Sequence, residues 1–356
     1  MDTVTTLQFL AGFVLLVAGA DVLVRGAASI ATGFGISPVI VGLTVVAFGT
    51  SASELSVSIM AASRAQPDLA FGNVVGSSIC NVLLILGLAA LVTPLTVDRA
   101  IVKREGPLML GSALLMGVLA LDHELSRLDG LLLFSLLLAF IGFTVQGARK
   151  DKAAAESAEP PPEGPSGLLK AGLFVLVGLA MLVGGSEWLV KGAVSMARTL
   201  GVSELIIGLT VVSIGTSLPE IATTVVAALR GQRDLAVGNV VGSNIFNVLC
   251  VLGLTAIVAP RGIQISPNAL YFDLPIMIAA CAVSLPIFFS DYAIERWEGG
   301  VLFGAYIAYV AYLALDAQGH AAVHGFGKVM LLFAVPLSVM AIVATAFQIW
   351  RRGRSP

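Results

Sequence analysis

The sequence predicts an all-α polytopic membrane protein: two inverted five-helix repeats followed by an additional C-terminal transmembrane helix. Composition, hydrophobic run length and an internal duplication carry that prediction. Hydrophobic residues make up 57% of the 356 residues and charged residues only 12%, too little polar surface to cover a soluble globule of this size. A span needs roughly 20 apolar residues. In the first half such runs lie near 6–32, 37–63, 69–92, 105–121 and 127–148. The second half has runs near 167–197, 203–229, 235–258, 270–290 and 298–316, and a last run, 326–350, has no counterpart in the first.

The duplication is ungapped where it is strongest. Residues 42–91 recur as residues 208–257, an offset of 166 that also aligns Asp21 and Arg25 with Glu187 and Lys191. Five spans per repeat is an odd number, so the second copy must enter the membrane upside down relative to the first. The expected organisation is a first repeat at 1–148, a cytoplasmic linker rich in charge, Ala and Pro at 149–166, a second repeat at 167–318, and the additional helix with a basic tail at 319–356.

Basic residues set the expected orientation. With the N-terminus outside, inner ends collect Arg99, Lys103, Arg104, Arg149, Lys150, Lys152, Lys170, Arg230, Arg233, Arg296, Arg351, Arg352 and Arg354. Outer ends then keep Arg64, Arg127, Lys191, Arg198, Arg261 and Lys328, the bias expected of a protein in a prokaryotic plasma membrane. The N-terminus lacks the basic region and small-residue cleavage site of a signal peptide, so its first apolar run is expected to stay as a helix. Cys80, Cys250 and Cys281 lie in apolar runs without metal-ligand spacing and read as reduced packing residues.

The chemistry is concentrated in the duplicated stretch. Glu54 and Glu220 stand near helix centres, where a carboxylate costs a few kcal/mol unless it faces protein, water or a cation. Around them are Thr50, Ser51, Ser77 and Asn81, and at equivalent positions Thr216, Ser217, Ser243 and Asn247. All are oxygen donors with no His, Cys or Met among them, a set that suits hard cations such as calcium or sodium over zinc or copper. Gly49, Gly215 and Pro219 point to helices broken at these sites, with carbonyl oxygens released beside the carboxylates. Asn73 and Asn239 read better as structural hydrogen-bonding groups, and Asp21 with Arg25, like Glu187 with Lys191, as i,i+4 ion pairs. His320 and His324 read as an incidental pair.

GTSxxE followed by GNVVGSxIxN, present once in each of the opposed halves, resembles the alpha repeats of the calcium/cation antiporter superfamily, most closely its prokaryotic sodium/calcium exchangers. The resemblance covers nearly all of both five-helix halves. It implies side-chain ion ligands at Thr50, Ser51, Glu54, Ser77, Asn81, Thr216, Ser217, Glu220, Ser243 and Asn247, and carbonyl ligands at Ala47 and Ser213. It also implies a rigid core of helices 2–5 and 7–10, across which helices 1 and 6 shift. Three departures stand out. Ala52 and Ser53 replace the family's Leu-Pro before Glu54, Asn247 stands where some relatives carry Asp, and the eleventh helix lies outside the ten-helix pattern.

The expected function is therefore a secondary antiporter, exchanging calcium for sodium by alternating access. Its expected partners are those two ions and the lipid bilayer, with no organic cofactor, nucleic acid or catalytic residue. A proton/calcium or other cation antiporter of the same fold is the alternative, and a passive cation channel a weaker one. An intramembrane hydrolase using Ser51 or Ser217 has no neighbouring His or Lys to act as base.

Overall fold

The computed structural model describes residues 3–155, 165–200, 213–289, 292–318 and 327. In the first repeat α1 spans Thr3–Phe34, α2 Pro38–Thr50, α3 Ala52–Ser63, α4 Pro67–Val92, α5 Ile101–Asp122 and α6 Arg127–Ala155. The second repeat follows as α7 Pro165–Thr199, α8 Ser213–Thr216, α9 Leu218–Leu229, α10 Arg233–Val258, α11 Ala269–Phe289 and α12 Arg296–Ala317. Among the described residues eight helices are long and apolar enough to cross a membrane, and α2 with α3, bent by 41°, makes a ninth span. The start of the expected 203–229 span and nearly all of the eleventh helix, with His320 and His324, lie outside the described residues.

Two boundaries differ from expectation. The charged segment assigned to the linker is helical at both described ends, since α6 continues to Ala155 and α7 begins at Pro165. The Ala- and Lys-rich stretch after Gly147 has high helix propensity and simply prolongs α6. The all-α prediction also omitted four two-residue strands: β1 Leu95–Thr96, β2 Glu124–Leu125, β3 Ile263–Gln264 and β4 Ala293–Ile294. They are too short to leave a periodic trace in sequence.

Those strands show how the repeats are related. β1 pairs antiparallel with β4, and β2 with β3, so each ribbon takes one strand from each repeat. Exchanging equivalent strands converts one ribbon into the other. Gly87 of α4 abuts Gly299 and Phe303 of α12, while the equivalent Gly253 of α10 abuts Gly130 and Phe134 of α6. The α3–α4 and α9–α10 turns pass through left-handed residues at equivalent positions, Ala65 at φ 56° and Gly231 at φ 73°.

The central helices are those that carry Ser77, Asn81, Ser243 and Asn247. The spans Pro67–Val92 and Arg233–Val258 are 78% and 89% buried, against 33% for α1 and 22% for α7, so α4 and α10 form the middle and α1 with α7 a peripheral pair. Local signals start several helices. Pro38 and Pro67 occupy first-turn positions, where no backbone N–H is missed, and Glu295 and Glu298 form a capping box on α12. π-helical turns recur at equivalent places, Cys80–Leu86 with Asn247–Leu252 and Ile101–Glu105 with Ala269–Asp273.

α1 and α7 cross antiparallel on small residues that recur every seventh position. Gly12 meets Gly185, Gly19 meets Gly178, and Gly26 meets Ala171. A Cβ on Gly178 would fall 2.6 Å from the Leu23 nitrogen and 2.8 Å from the Gly19 carbonyl oxygen, both backbone atoms that cannot step aside. Gly178→Leu is accordingly expected to force the pair apart, costing about 1–3 kcal/mol or more. Gly172→Leu, which faces open space on the same helix, should be neutral. Thermal unfolding in detergent compares them, and equal midpoints would show that this contact does not hold the pair.

Candidate cation site

Each repeat brings its Glu to the middle through a broken helix. The first break falls at Ser51 (φ −72°, ψ 3°) and the second at Ser217 (φ −93°, ψ 6°), each directly before the helix that carries Glu54 or Glu220 in its first turn. The first break therefore forms without the proline that precedes Glu220. The Gly-Thr-Ser sequence is common to both breaks, and Ser51 keeps its backbone bonds to Ala47 and Leu55 through the bend.

Glu54 and Glu220 are each only 1% exposed. Among the described residues the ion pairs join Asp21 with Arg25 and Arg230, Arg104 with Glu105, and Glu187 with Lys191, and none involves either central glutamate. Two buried carboxylates without a cationic side chain require countercharge from elsewhere. They also act on one another, since the charge of Glu54 reaches Glu220, which lies beside Thr50 and Ser51.

The halves interlock at this point. Ser217 Oγ lies 3.4 Å from Glu54 Oε1 and 3.4 Å from Ser77 Oγ, joining α4 to the break in the opposite repeat. Ser53 Oγ lies 2.8 Å from Glu54 Oε2 and 3.1 Å from the Thr216 carbonyl oxygen. The Thr50 hydroxyl lies 3.3 Å from the Ala47 carbonyl and 3.4 Å from Asn239 Oδ1.

Several predicted ligands end in buried atoms with no hydrogen-bond partner: Ser51 Oγ, Asn81 Oδ1, Glu220 Oε2, Ser243 Oγ, and both Oδ1 and Nδ2 of Asn247. Native interiors leave few such groups, and these six are half of those among the described residues; the oxygens among them suit a hard cation as substrate. Among the described residues no trio of His, Cys, Asp and Glu gathers, so any cation here would be held by two carboxylates and neutral oxygens. Asn81 and Asn247 lie in the π-helical turns of α4 and α10, and no hydrogen bond links either of them, or Ser243, to a carboxylate among the described residues.

The remaining predicted positions are also placed. The Ala47 carbonyl accepts from Ser51 N at 3.0 Å. Ser213 opens α8, and its side chain lies outside the described residues. Asn73 Nδ2 donates to Ser58 Oγ at 2.9 Å and to the Glu54 carbonyl at 3.1 Å, while Asn239 Nδ2 donates to Thr224 Oγ1 at 3.0 Å. These are the structural bonds expected of them, repeated symmetrically. Two neighbours were absent from the ligand set drawn from sequence. Ser53 is one, and the other is Cys80, whose thiol lies beside Ser217. A cavity of about 270 Å³, lined by Asn73, Gly76, Thr216, Asp273 and Tyr309, reaches the site at Thr216.

Inverted repeats whose broken helices deliver paired carboxylates to a common centre define a membrane cation antiporter. Comparison with known proteins gives the family: the profile described as Sodium/calcium exchanger protein matches residues 4–146 and 170–315, and the chain belongs to that family. It is 41% identical over 314 residues to the putative antiporter CaxA of Alkalimonas amylolytica, covering 86% of this chain and 97% of that protein. It is 35% identical over 349 residues to the sodium/calcium exchanger MaX1 of Methanosarcina acetivorans, covering 88% and 99%. A structure of the sodium-calcium exchanger NCX_Mj, soaked with sodium and calcium, superposes with a TM-score of 0.76 at 29% identity, covering 87% of this chain and 99% of that one.

Proposed function

We propose that the protein exchanges calcium for sodium by alternating access, with Glu54 and Glu220 sharing the divalent ion and the neutral oxygens of Thr50, Ser51, Ser77, Asn81, Thr216, Ser217, Ser243 and Asn247, with the carbonyls of Ala47 and Ser213, completing the ion sites. The observation that carries this reading is the pair of buried carboxylates with no cationic side chain paired to either among the described residues, together with nearby partnerless oxygens. The names of MaX1 and NCX_Mj support calcium and sodium as the ions. The mobile unit is α1 with α7, and the rest of each repeat forms the core. In support, α1 and α7 are far less buried than α4 and α10 and pack on one another, and Ser186 Oγ of α7 donates to the Gly215 carbonyl at 2.8 Å, touching the second break directly. The excess of basic residues fits a prokaryotic plasma membrane with the N-terminus outside, with two repeat units at 1–148 and 167–318, the segment 149–166 between them and a further helix in 319–356.

Charge sets the test. The site carries two negative charges when both glutamates are ionised; one calcium neutralises it, whereas the three sodium ions implied by the family leave one net positive charge. Exchange then moves one charge per cycle, worth roughly 2.3 kcal/mol per 100 mV. In proteoliposomes, calcium uptake driven by a sodium gradient is expected to vary steeply with clamped membrane potential. Uptake that needs a pH gradient and ignores both sodium and voltage would replace sodium with protons as the driving ion.

A further inference from the structure

Ser53 breaks the symmetry of the site. Its equivalent in the second repeat is Pro219, which has neither a side-chain oxygen nor a donor. Besides the carboxylate oxygen Glu54 Oε2 at 2.8 Å, Ser53 Oγ has two carbonyl oxygens within reach, Thr50 at 3.0 Å and Thr216 at 3.1 Å. One of these carbonyls lies at the break in its own repeat and the other at the break in the opposite repeat. A hydroxyl has one proton, so it can donate to only one of the three. The other two oxygens receive no proton from Ser53. Three acceptor oxygens crowding a hydroxyl that can donate to only one of them make an electron-rich wall, and a hard cation that gathers six to eight oxygens at roughly 2.3–2.6 Å suits it.

We propose that Ser53 is a ligand to the transported divalent cation, its hydroxyl oxygen forming one wall of the site with the Glu54 carboxylate and the carbonyls of Thr50 and Thr216. The proposal rests on the exchange reading above and extends it. The added donor is neutral, so it raises the coordination number without changing the two negative charges. It is present on one arm only, which makes the cation's surroundings lopsided about the pseudo-twofold axis.

Calcium and cadmium binding to the purified full-length protein, measured by titration calorimetry, tests this. Ser53→Ala and Ser53→Pro, the second copying the residue of the other repeat, are expected to weaken calcium binding about tenfold. Ser53→Thr, which keeps the hydroxyl, should restore most of the affinity. Ser53→Cys puts a soft sulfur where the hard oxygen stood, so the ratio of cadmium to calcium affinity should rise about tenfold or more over the wild-type ratio, which already includes any contribution from Cys80. A serine that merely orients Glu54 would not invert metal preference.

If Ser53→Ala binds calcium like the wild type, or Ser53→Cys shifts the metal ratio no more than Ser53→Ala does, Ser53 is not a ligand. Glu54→Gln separates this failure from that of the parent reading. Wild-type protein that binds no calcium, or binds it no better than Glu54→Gln, overturns the exchange site itself. Normal binding by the wild type and loss in Glu54→Gln, with unaltered Ser53 variants, overturns only the role of Ser53.

Discussion

Glu54→Gln and Glu220→Gln should each reduce calcium transport at least about 100-fold, a loss equivalent to roughly 2.7 kcal/mol or more. The amide preserves the shape of the side chain and removes the charge. With both carboxylates 1% exposed and without basic partners among the described residues, each negative charge is expected to be balanced by the bound divalent ion. Removing either leaves one negative charge to hold a doubly charged ion in a medium where Coulomb interactions are strong. Folding should survive, because neutralising a buried unpaired carboxylate relieves a desolvation cost. Thermal midpoints at or above wild type, combined with lost uptake of radioactive calcium in proteoliposomes, form the expected pattern. Wild-type uptake in either variant would remove that carboxylate from the mechanism.

Tying α1 to the core should stop exchange and spare binding. Asp21 of α1 forms ion pairs with Arg25 on its own helix, at 2.9 Å, and with Arg230, just beyond α9. The second pair spans the interface at which the peripheral helices are proposed to slide, and it marks where a short tether fits. A thiol-specific bifunctional reagent joining Asp21→Cys to Arg230→Cys is expected to lower sodium-driven calcium uptake to the level of empty liposomes. The native cysteines Cys80, Cys250 and Cys281 are buried and should remain unmodified. Calcium binding to the same tethered protein should persist. The double variant without reagent controls for loss of the ion pair, which, being partly exposed, is worth at most about 1 kcal/mol. Full turnover in the tethered protein would show that α1 does not move against α9.

Sequence by itself determined the architecture. Apolar runs fix spans because a bilayer of given thickness demands a given helix length, and the ungapped recurrence of residues 42–91 exposes the duplication. An odd number of spans then leaves inversion as the only way to place the second copy. It also picked out Glu54 and Glu220, since an intramembrane carboxylate is costly wherever it occurs. Asn73 and Asn239 were legible as structural residues from their positions near helix starts.

Tertiary structure decided what touches what. Ala52 and Ser53 stand in place of the family's Leu-Pro before Glu54, and the structure breaks the helix there all the same. The contact of Ser217 with Glu54, and that of Ser53 with the Thr216 carbonyl, each join residues 163 positions apart. No local pattern encodes such a pairing. The strands of the two ribbons are likewise only two residues long, and their partners lie in the opposite repeat. Periodicity and propensity act over a few turns of chain, whereas the proposed cation site lies where two inverted copies meet, and that meeting is fixed by close packing of surfaces far apart in sequence.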